Sequence, residues 1–281
     1  MLNLNSFKEQ SKDILNRIWG LKKESYKFRI IFYHSVHPSC FLSHRPDQFK
    51  EHLDWLQDNH YKTIRVKDIP KIAKSDDDLN KIVAITFDDG YRDNIEWAMP
   101  MLKDRGMVAT FYVVAGLIDD NPLTSSGGYR LYTDRPMLSK NDLISLVKNG
   151  MEVGSHSLTH NLATRIIKER GEHHFYNHEA LNSKNILEEI IKDEVLSFSY
   201  PNGQRNAFSA KSRELIFKAG YTTATTTMWD VITNHTDRLS LPRCEIAATD
   251  KFNDFVAKML GKQDYRKIIC KFRGGNKNWW G

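Results

Sequence analysis

Asp88 and Asp89 stand side by side directly after the apolar run Ile82–Phe87, in the string ITFDDGY. Carboxylates this close repel one another unless something offsets the charge. A bound cation is the obvious offset, and oxygen ligands suit several divalent metals. A surface Asp-Asp-Gly turn is the competing reading; the apolar run before it argues for the mouth of a buried sheet instead. His156 and His160 follow the run MEVGS. Four residues apart, they share one side of a helical turn, and their imidazoles can converge on one ion at about 2.0–2.1 Å. Alone, this spacing reads as two surface histidines. Beside an acidic rim it reads as two imidazoles and one carboxylate, which leaves coordination positions for water and substrate, as catalytic sites do. A third string, Tyr200-Pro201-Asn202-Gly203, ends the run Leu196–Tyr200. Its turn amides could face a developing oxyanion, although a plain strand-ending turn has the same composition.

These strings are far apart in sequence, so a fold must bring them together. Phe28–Tyr33, Ile82–Phe87, Val108–Val114, Met151–Ser155, Leu196–Tyr200, Tyr221–Thr226 and Leu241–Ile246 read as short buried strands. Helical patterns fall between most of them, over Pro46–His60, Asn94–Arg105, Asn141–Asn149, His178–Ile191 and Asn206–Ala219. Alternating strands and helices imply an α/β fold with a parallel sheet. About seven repeats imply a closed or nearly closed barrel, with catalytic residues at the carboxyl ends of its strands. The expected organisation is an N-terminal helical extension at 1–27, a catalytic barrel at 28–249, and a C-terminal helix with a basic tail at 250–281. Asp119–Pro136 reads as a long irregular insertion of the lid or binding-loop kind.

The 281 residues are 40% hydrophobic and 27% charged, ordinary for a globular chain. A net charge of +6 without a dense basic stripe gives no reason to expect a nucleic-acid partner. The local excess is C-terminal, at Lys262, Arg266, Lys267, Lys271, Arg273 and Lys277, followed by Trp279 and Trp280. Such a tail would suit peripheral contact with an anionic membrane, against the simpler reading of a solvated tail. Cys40, Cys244 and Cys270 are odd in number and lack zinc-ribbon spacing, so reduced thiols are expected. The N-terminus lacks the continuous apolar core of a signal peptide, and no stretch approaches the roughly 20 apolar residues of a spanning helix. A cytoplasmic location, with membrane association through the tail as an option, is the resulting expectation. His52 and His60 read as helix-surface residues, and His173, His174 and His178 as a solvated loop cluster. Tyr129, Tyr132 and Trp229 read as packing, with sugar stacking as the alternative.

ITFDDGY, SHSLTH and SYPNG occur in the order and approximate spacing of the polysaccharide deacetylases, carbohydrate esterase family four. The resemblance covers about Arg29 to Ile246. It implies a distorted (β/α) barrel and hydrolysis of an acetyl group on a sugar. By position it makes Asp88 the catalytic base, Asp89, His156 and His160 the metal ligands, and the turn at Pro201-Asn202-Gly203, after Tyr200, the oxyanion segment. Two departures stand out. Ser199 occupies the place where many members carry an arginine that pairs with the base, and no late histidine motif follows His235. The early string IIFYHSV resembles an exopolysaccharide deacetylase branch in which a histidine after the first strand is the acid, which points to His34. Arg243, in LPRCEI, is the candidate for the missing arginine. The expected substrate is an acetylated amino sugar in surface-polysaccharide or glycan biosynthesis. Zinc is the first choice of metal, with cobalt, nickel or manganese as substitutes. A deformylase or other amidase on the same site, and an inactive sugar-binding homologue, are the competing functions.

Overall fold

The computed structural model describes residues 27–39, 43–72, 79–120 and 135–267. The expected N-terminal extension, Cys40, Cys270, Tyr129, Tyr132, most of the insertion and the end of the basic tail lie outside them. The strands are β1 (Arg29–Tyr33), β2 (Lys62–Ile64), β3 (Ile82–Phe87), β4 (Thr110–Val113), β5 (Glu152–Ser155), β6 (Ser197–Ser199), β7 (Thr223–Thr225) and β8 (Cys244–Glu245). Every strand pairing is parallel, in the order β7-β6-β5-β4-β3-β1-β8. A parallel bridge between Thr225 and Leu241, three residues before β8, links the two ends of that order. The sheet is therefore a distorted (β/α) barrel of seven parallel strands, with β2 as a short extra piece against the lower half of β3.

Seven α-helices of five or more residues surround the sheet among the described residues: α1 (Pro46–Asp58), α2 (Met99–Lys103), α3 (Lys140–Lys148), α4 (Ala163–Arg170), α5 (Ser183–Ile191), α6 (Ala210–Lys218) and α7 (Phe252–Met259). Side chains alternate across a strand, and the two faces differ. Ile31, Tyr33, Val83, Ile85, Phe87 and Phe111 join one apolar cluster with the helical residues Phe49, Leu53, Leu102 and Leu143. This is the outer face, sealed by helices. The opposite, inner face carries Ile30, Ala84 and Tyr112 in a smaller cluster. In register with these come the polar residues Thr86, Thr110, Glu152, Ser197 and Thr225, all buried.

Glu152 is the costliest of these. Its carboxylate accepts hydrogen bonds from Thr110 Oγ1 (2.6 Å), Ser197 Oγ (2.6 Å) and the Lys67 amide (3.1 Å). Burial nonetheless pushes its pKa up. Room at this level depends on Gly154, where an added Cβ would fall 2.6 Å from both Ser197 Oγ and the Tyr112 ring. Gly154→Ala is therefore expected to destabilise the fold by about 1–3 kcal/mol through overpacking, read as a lower urea midpoint. A wild-type midpoint would show that the Tyr112 ring yields freely.

β2 and α4 were not expected: three residues are too few for a strand pattern, and α4 buries only Ala163 and Ile166. Asn94–Arg105 opens as a π-helical turn, Asn94–Ala98, before α2. α6 starts at Ala210 rather than Asn206, because Ser209 caps it by accepting from the Ser212 amide. His173, His174 and His178 lie on helical turns, not in a loop. Trp229 is buried against Lys258 and Arg266, which is packing. Cys244 is a buried free thiol. No helix among the described residues is long and apolar enough to cross a membrane.

His52 is buried rather than on the surface: its ring stacks on Phe255 at 4.1 Å and its Nδ1 meets Tyr33 Oη at 3.1 Å. His44 packs edge-on against Tyr33 at 4.8 Å with no hydrogen-bond partner for either ring nitrogen among the described residues. Burial lowers His44 from 6.5 to about 4 and His52 to about 3. With folded-state values below the ordinary one, the neutral rings contribute fully above about pH 6.5. That contribution is lost as pH falls from there through about 4 and then about 3. His44→Phe keeps the ring and strands no partner. It is expected to flatten the fall in unfolding free energy between pH 6 and 4 by about 1.4 kcal/mol per pH unit. Chemical denaturation at several pH values measures this, and an unchanged slope would contradict it.

Candidate active site

β3 ends at Phe87, and the Asp88 amide extends the ladder by donating to the Tyr33 carbonyl (3.0 Å). The registers Tyr33↔Phe87, Phe87↔Phe111, Val113↔Ser155 and Ser199↔Thr225 align the carboxyl ends of six strands. His34, Asp88, His156 and Tyr200 each follow such an end. Arg243 reaches the same rim from just before β8.

Asp88 and Arg243 form a buried bidentate pair. Arg243 Nη1 donates to Oδ1 at 2.7 Å and Nη2 to Oδ2 at 2.6 Å. The guanidinium also donates to Thr86 Oγ1 (3.1 Å), Ser199 Oγ (3.0 Å) and the Thr226 carbonyl (2.9 Å), and lies over the Phe32 ring at 4.5 Å. Ser199 therefore does not leave a gap: it is the small residue that admits an arginine from the segment just before β8. Burial pushes Asp88 up, but the charges of Arg243, His156 and His34 outweigh it and hold the carboxyl below the usual range.

Asp89 turns away from this pair at a φ of 75°, in the left-handed region. Its Oδ1 lies 3.5 Å from His156 Nε2 and 3.3 Å from His160 Nε2. Burial raises Asp89, yet hydrogen bonds from both imidazoles pull it well below the ordinary value. His156, in turn, is lowered by burial but raised overall by Asp88 and Asp89. The hydrogen bond between its Nδ1 and the Ser199 carbonyl (2.8 Å) aims Nε2 at Asp89. Ser157 (φ 66°) and His160 (φ 58°) are also left-handed. Three strained non-glycine residues in one place are the kind of outlier that marks a functional site.

The donor set fits a divalent cation. One potential ligand atom from each of Asp89, His156 and His160 lies within 4.8 Å of the others, and all three residues are at least partly buried. Two nitrogens and one oxygen suit zinc, cobalt or nickel.

The turn after β6 differs from expectation in one respect. The Tyr200 amide donates to the Thr225 carbonyl (3.1 Å), and its ring stacks on Phe208 at 5.0 Å. Tyr200 is thus part of the sheet and core, and its amide is not free for a ligand. Pro201 has no N–H. The amides of Asn202 and Gly203 remain, and both residues are left-handed, at φ 63° and 61°. A Cβ at Gly203 would sit 2.6 Å from the Thr227 nitrogen, so glycine is required there.

His34 is half-buried, edge-on to Phe32 at 5.7 Å, and close enough to lower both aspartates electrostatically. Residues that brace it went unnoticed in the sequence. Asn94 Nδ2 donates to the His34 carbonyl (2.8 Å), and Ser35 Oγ donates to Asp93 Oδ2 (2.8 Å). Arg135 pairs with Asp93 as well. For Asp93 and Asn94 the only local signal was position, four and five residues past Asp89.

The sequence model of the family described as polysaccharide deacetylase matches residues 75–224. The chain belongs to the polysaccharide deacetylase family. YxkH of Bacillus subtilis (strain 168), named as a polysaccharide deacetylase, is 27% identical over 219 residues, covering 78% of this chain and 71% of that one. Among solved structures, Streptococcus pyogenes deacetylase PplD in complex with acetate has a TM-score of 0.69 at 21% identity, covering 83% of this chain and 98% of that one. IcaB from Ammonifex degensii has a TM-score of 0.69 at 19% identity, covering 86% and 98%. At these identities the structures show a shared fold. Within the deacetylase barrel, the family match excludes β1 and β8, the strands beside His34 and Arg243.

Proposed function

We propose that this polysaccharide deacetylase-family chain is a metal-dependent hydrolase that removes an N-acetyl group from an amino sugar during surface-polysaccharide or glycan biosynthesis. The carrying observation is the separation of two adjacent aspartates into two environments: Asp89 converges with His156 and His160, while Asp88 is locked to Arg243. Family membership supports deacetylation of a polysaccharide; the donor set supports a metal, zinc first.

Asp89, His156 and His160 would hold the cation. When bound, such an ion polarises the acetyl carbonyl and acidifies a water. Asp88, kept ionised by Arg243, accepts the proton of the attacking water; each of its oxygens retains a lone pair beyond its bond to Arg243. The Asn202 and Gly203 amides stabilise the oxyanion. His34 returns a proton to the departing sugar nitrogen.

A panel of acetylated and formylated amino sugars and non-sugar amides, incubated with zinc-loaded and chelated protein, tests this. Acetate release from the amino sugars alone, abolished by chelation, is the expected result. Formate release, cleavage of non-sugar amides, or glycan binding without hydrolysis would each replace the reading with a competing one.

A further inference from the structure

The loop that carries both histidines has nearly every backbone polar group assigned. The Ser157 and Leu158 carbonyls accept from the amides of Ala115 (3.1 Å) and Gly116 (3.0 Å). The Ser157 amide donates to Ser155 Oγ (3.2 Å) and the His160 amide to Ser157 Oγ (3.0 Å). The remaining two amides go to one side chain. Glu179 Oε2 accepts from the Leu158 amide (3.2 Å) and the Thr159 amide (3.1 Å), while Oε1 accepts from Thr159 Oγ1 (2.6 Å).

Glu179 is 1% exposed and has no basic side chain among these partners. A buried carboxylate is costly unless its oxygens are hydrogen-bonded, and all three of these donors to Glu179 belong to the histidine loop. It sits within the π-helical stretch Phe175–Asn182, a geometry frequent at functional sites. That stretch is tied back to the barrel: Ser183 Oγ bonds the Glu179 carbonyl (2.6 Å) and Ser155 Oγ (2.9 Å). Ser155 is the last residue of β5, directly before His156.

We infer that Glu179 is a positioning residue: it fixes the strained turn between His156 and His160, and so the distance at which the two imidazoles face Asp89. It acts through the Leu158 and Thr159 amides and touches neither substrate nor ion. The inference rests on the metal-site reading for its consequence, but its structural content can be tested separately.

Two measurements on Glu179→Ala, Glu179→Gln and Leu187→Ala test it. Leu187 is fully buried on α5, and its apolar side chain gives no hydrogen bond to the histidine loop, so its truncation destabilises the same region and leaves the Glu179 bonds in place. In the metal-free protein, amide hydrogen exchange of the 156–160 peptide should quicken about ten-fold in Glu179→Ala, the loss of a hydrogen bond to a charged group. It should stay near wild type in Leu187→Ala. Zinc affinity, by competition with a chromophoric chelator, should fall roughly 10–100-fold in Glu179→Ala and recover in part in Glu179→Gln, whose amide oxygen can still accept both N–H groups. Wild-type exchange in that peptide, or equal effects in Glu179→Ala and Leu187→Ala, would overturn the inference. If the wild-type protein binds no zinc, the metal reading fails on its own, and the exchange measurement still decides the role of Glu179.

Discussion

Arg243→Met is expected to cost roughly 3–5 kcal/mol of stability, because it strands a buried carboxylate. The side chains of Arg243 and Asp88 are 0% and 4% exposed, so water cannot replace the lost partner. The Thr226 carbonyl and Ser199 Oγ lose a donor in the same step. Arg243→Lys should recover little, since an ammonium cannot reproduce a bidentate fork together with three further bonds. The informative companion is the double variant Asp88→Leu/Arg243→Met. Removing the whole pair should restore much of the stability, because no charge is left unpaired, while turnover stays absent. Urea unfolding of metal-free protein measures both. A loss under about 1 kcal/mol in Arg243→Met would mean that Asp88 finds another partner or takes up a proton at little cost.

Asp88→Asn is expected to lower turnover by at least about 10²–10⁴-fold while zinc binding survives. The amide keeps the shape of the carboxyl but cannot take a proton from water. Asp89, His156 and His160 are untouched, so the proposed ligand set remains. His156→Ala should lose both properties, since it removes a proposed ligand and the bond to the Ser199 carbonyl. Single-turnover acetate release and zinc titration on the same preparations separate the two outcomes. Wild-type turnover in Asp88→Asn would remove Asp88 as the base.

What the sequence made legible follows from how local each signal is. Asp88, Asp89, His156 and His160 stand next to apolar strands, so the pattern of burial located them at one rim before any coordinates. The seven-stranded barrel was legible for the same reason, since each strand is a run of buried residues. Arg243 was reachable only because a gap at Ser199 asked for an arginine elsewhere. Glu179 was not legible: its partners are about 20 residues away, and a lone glutamate in the helical pattern His178–Ile191 looks like any solvated carboxylate. His52 was misjudged because a histidine beside Leu53 carries no mark of which side of its helix faces Phe255. The Tyr200 amide was misassigned because β-ladder pairing with Thr225 depends on where β7 ends.

The pairing of the first strand with the last joins residues from opposite ends of the described chain: Ile31 lies beside Cys244, and Phe32 beside Glu245. A pairing of such long sequence separation is intrinsically slow to form. Ribosomal synthesis would therefore release the aspartates and histidines long before the strand that neutralises Asp88 exists. Maturation of the centre is then tied to completion of the last strand, and a nascent or clipped polypeptide that stops short of Arg243 would hold Asp89, His156 and His160 with Asp88 lacking its guanidinium partner.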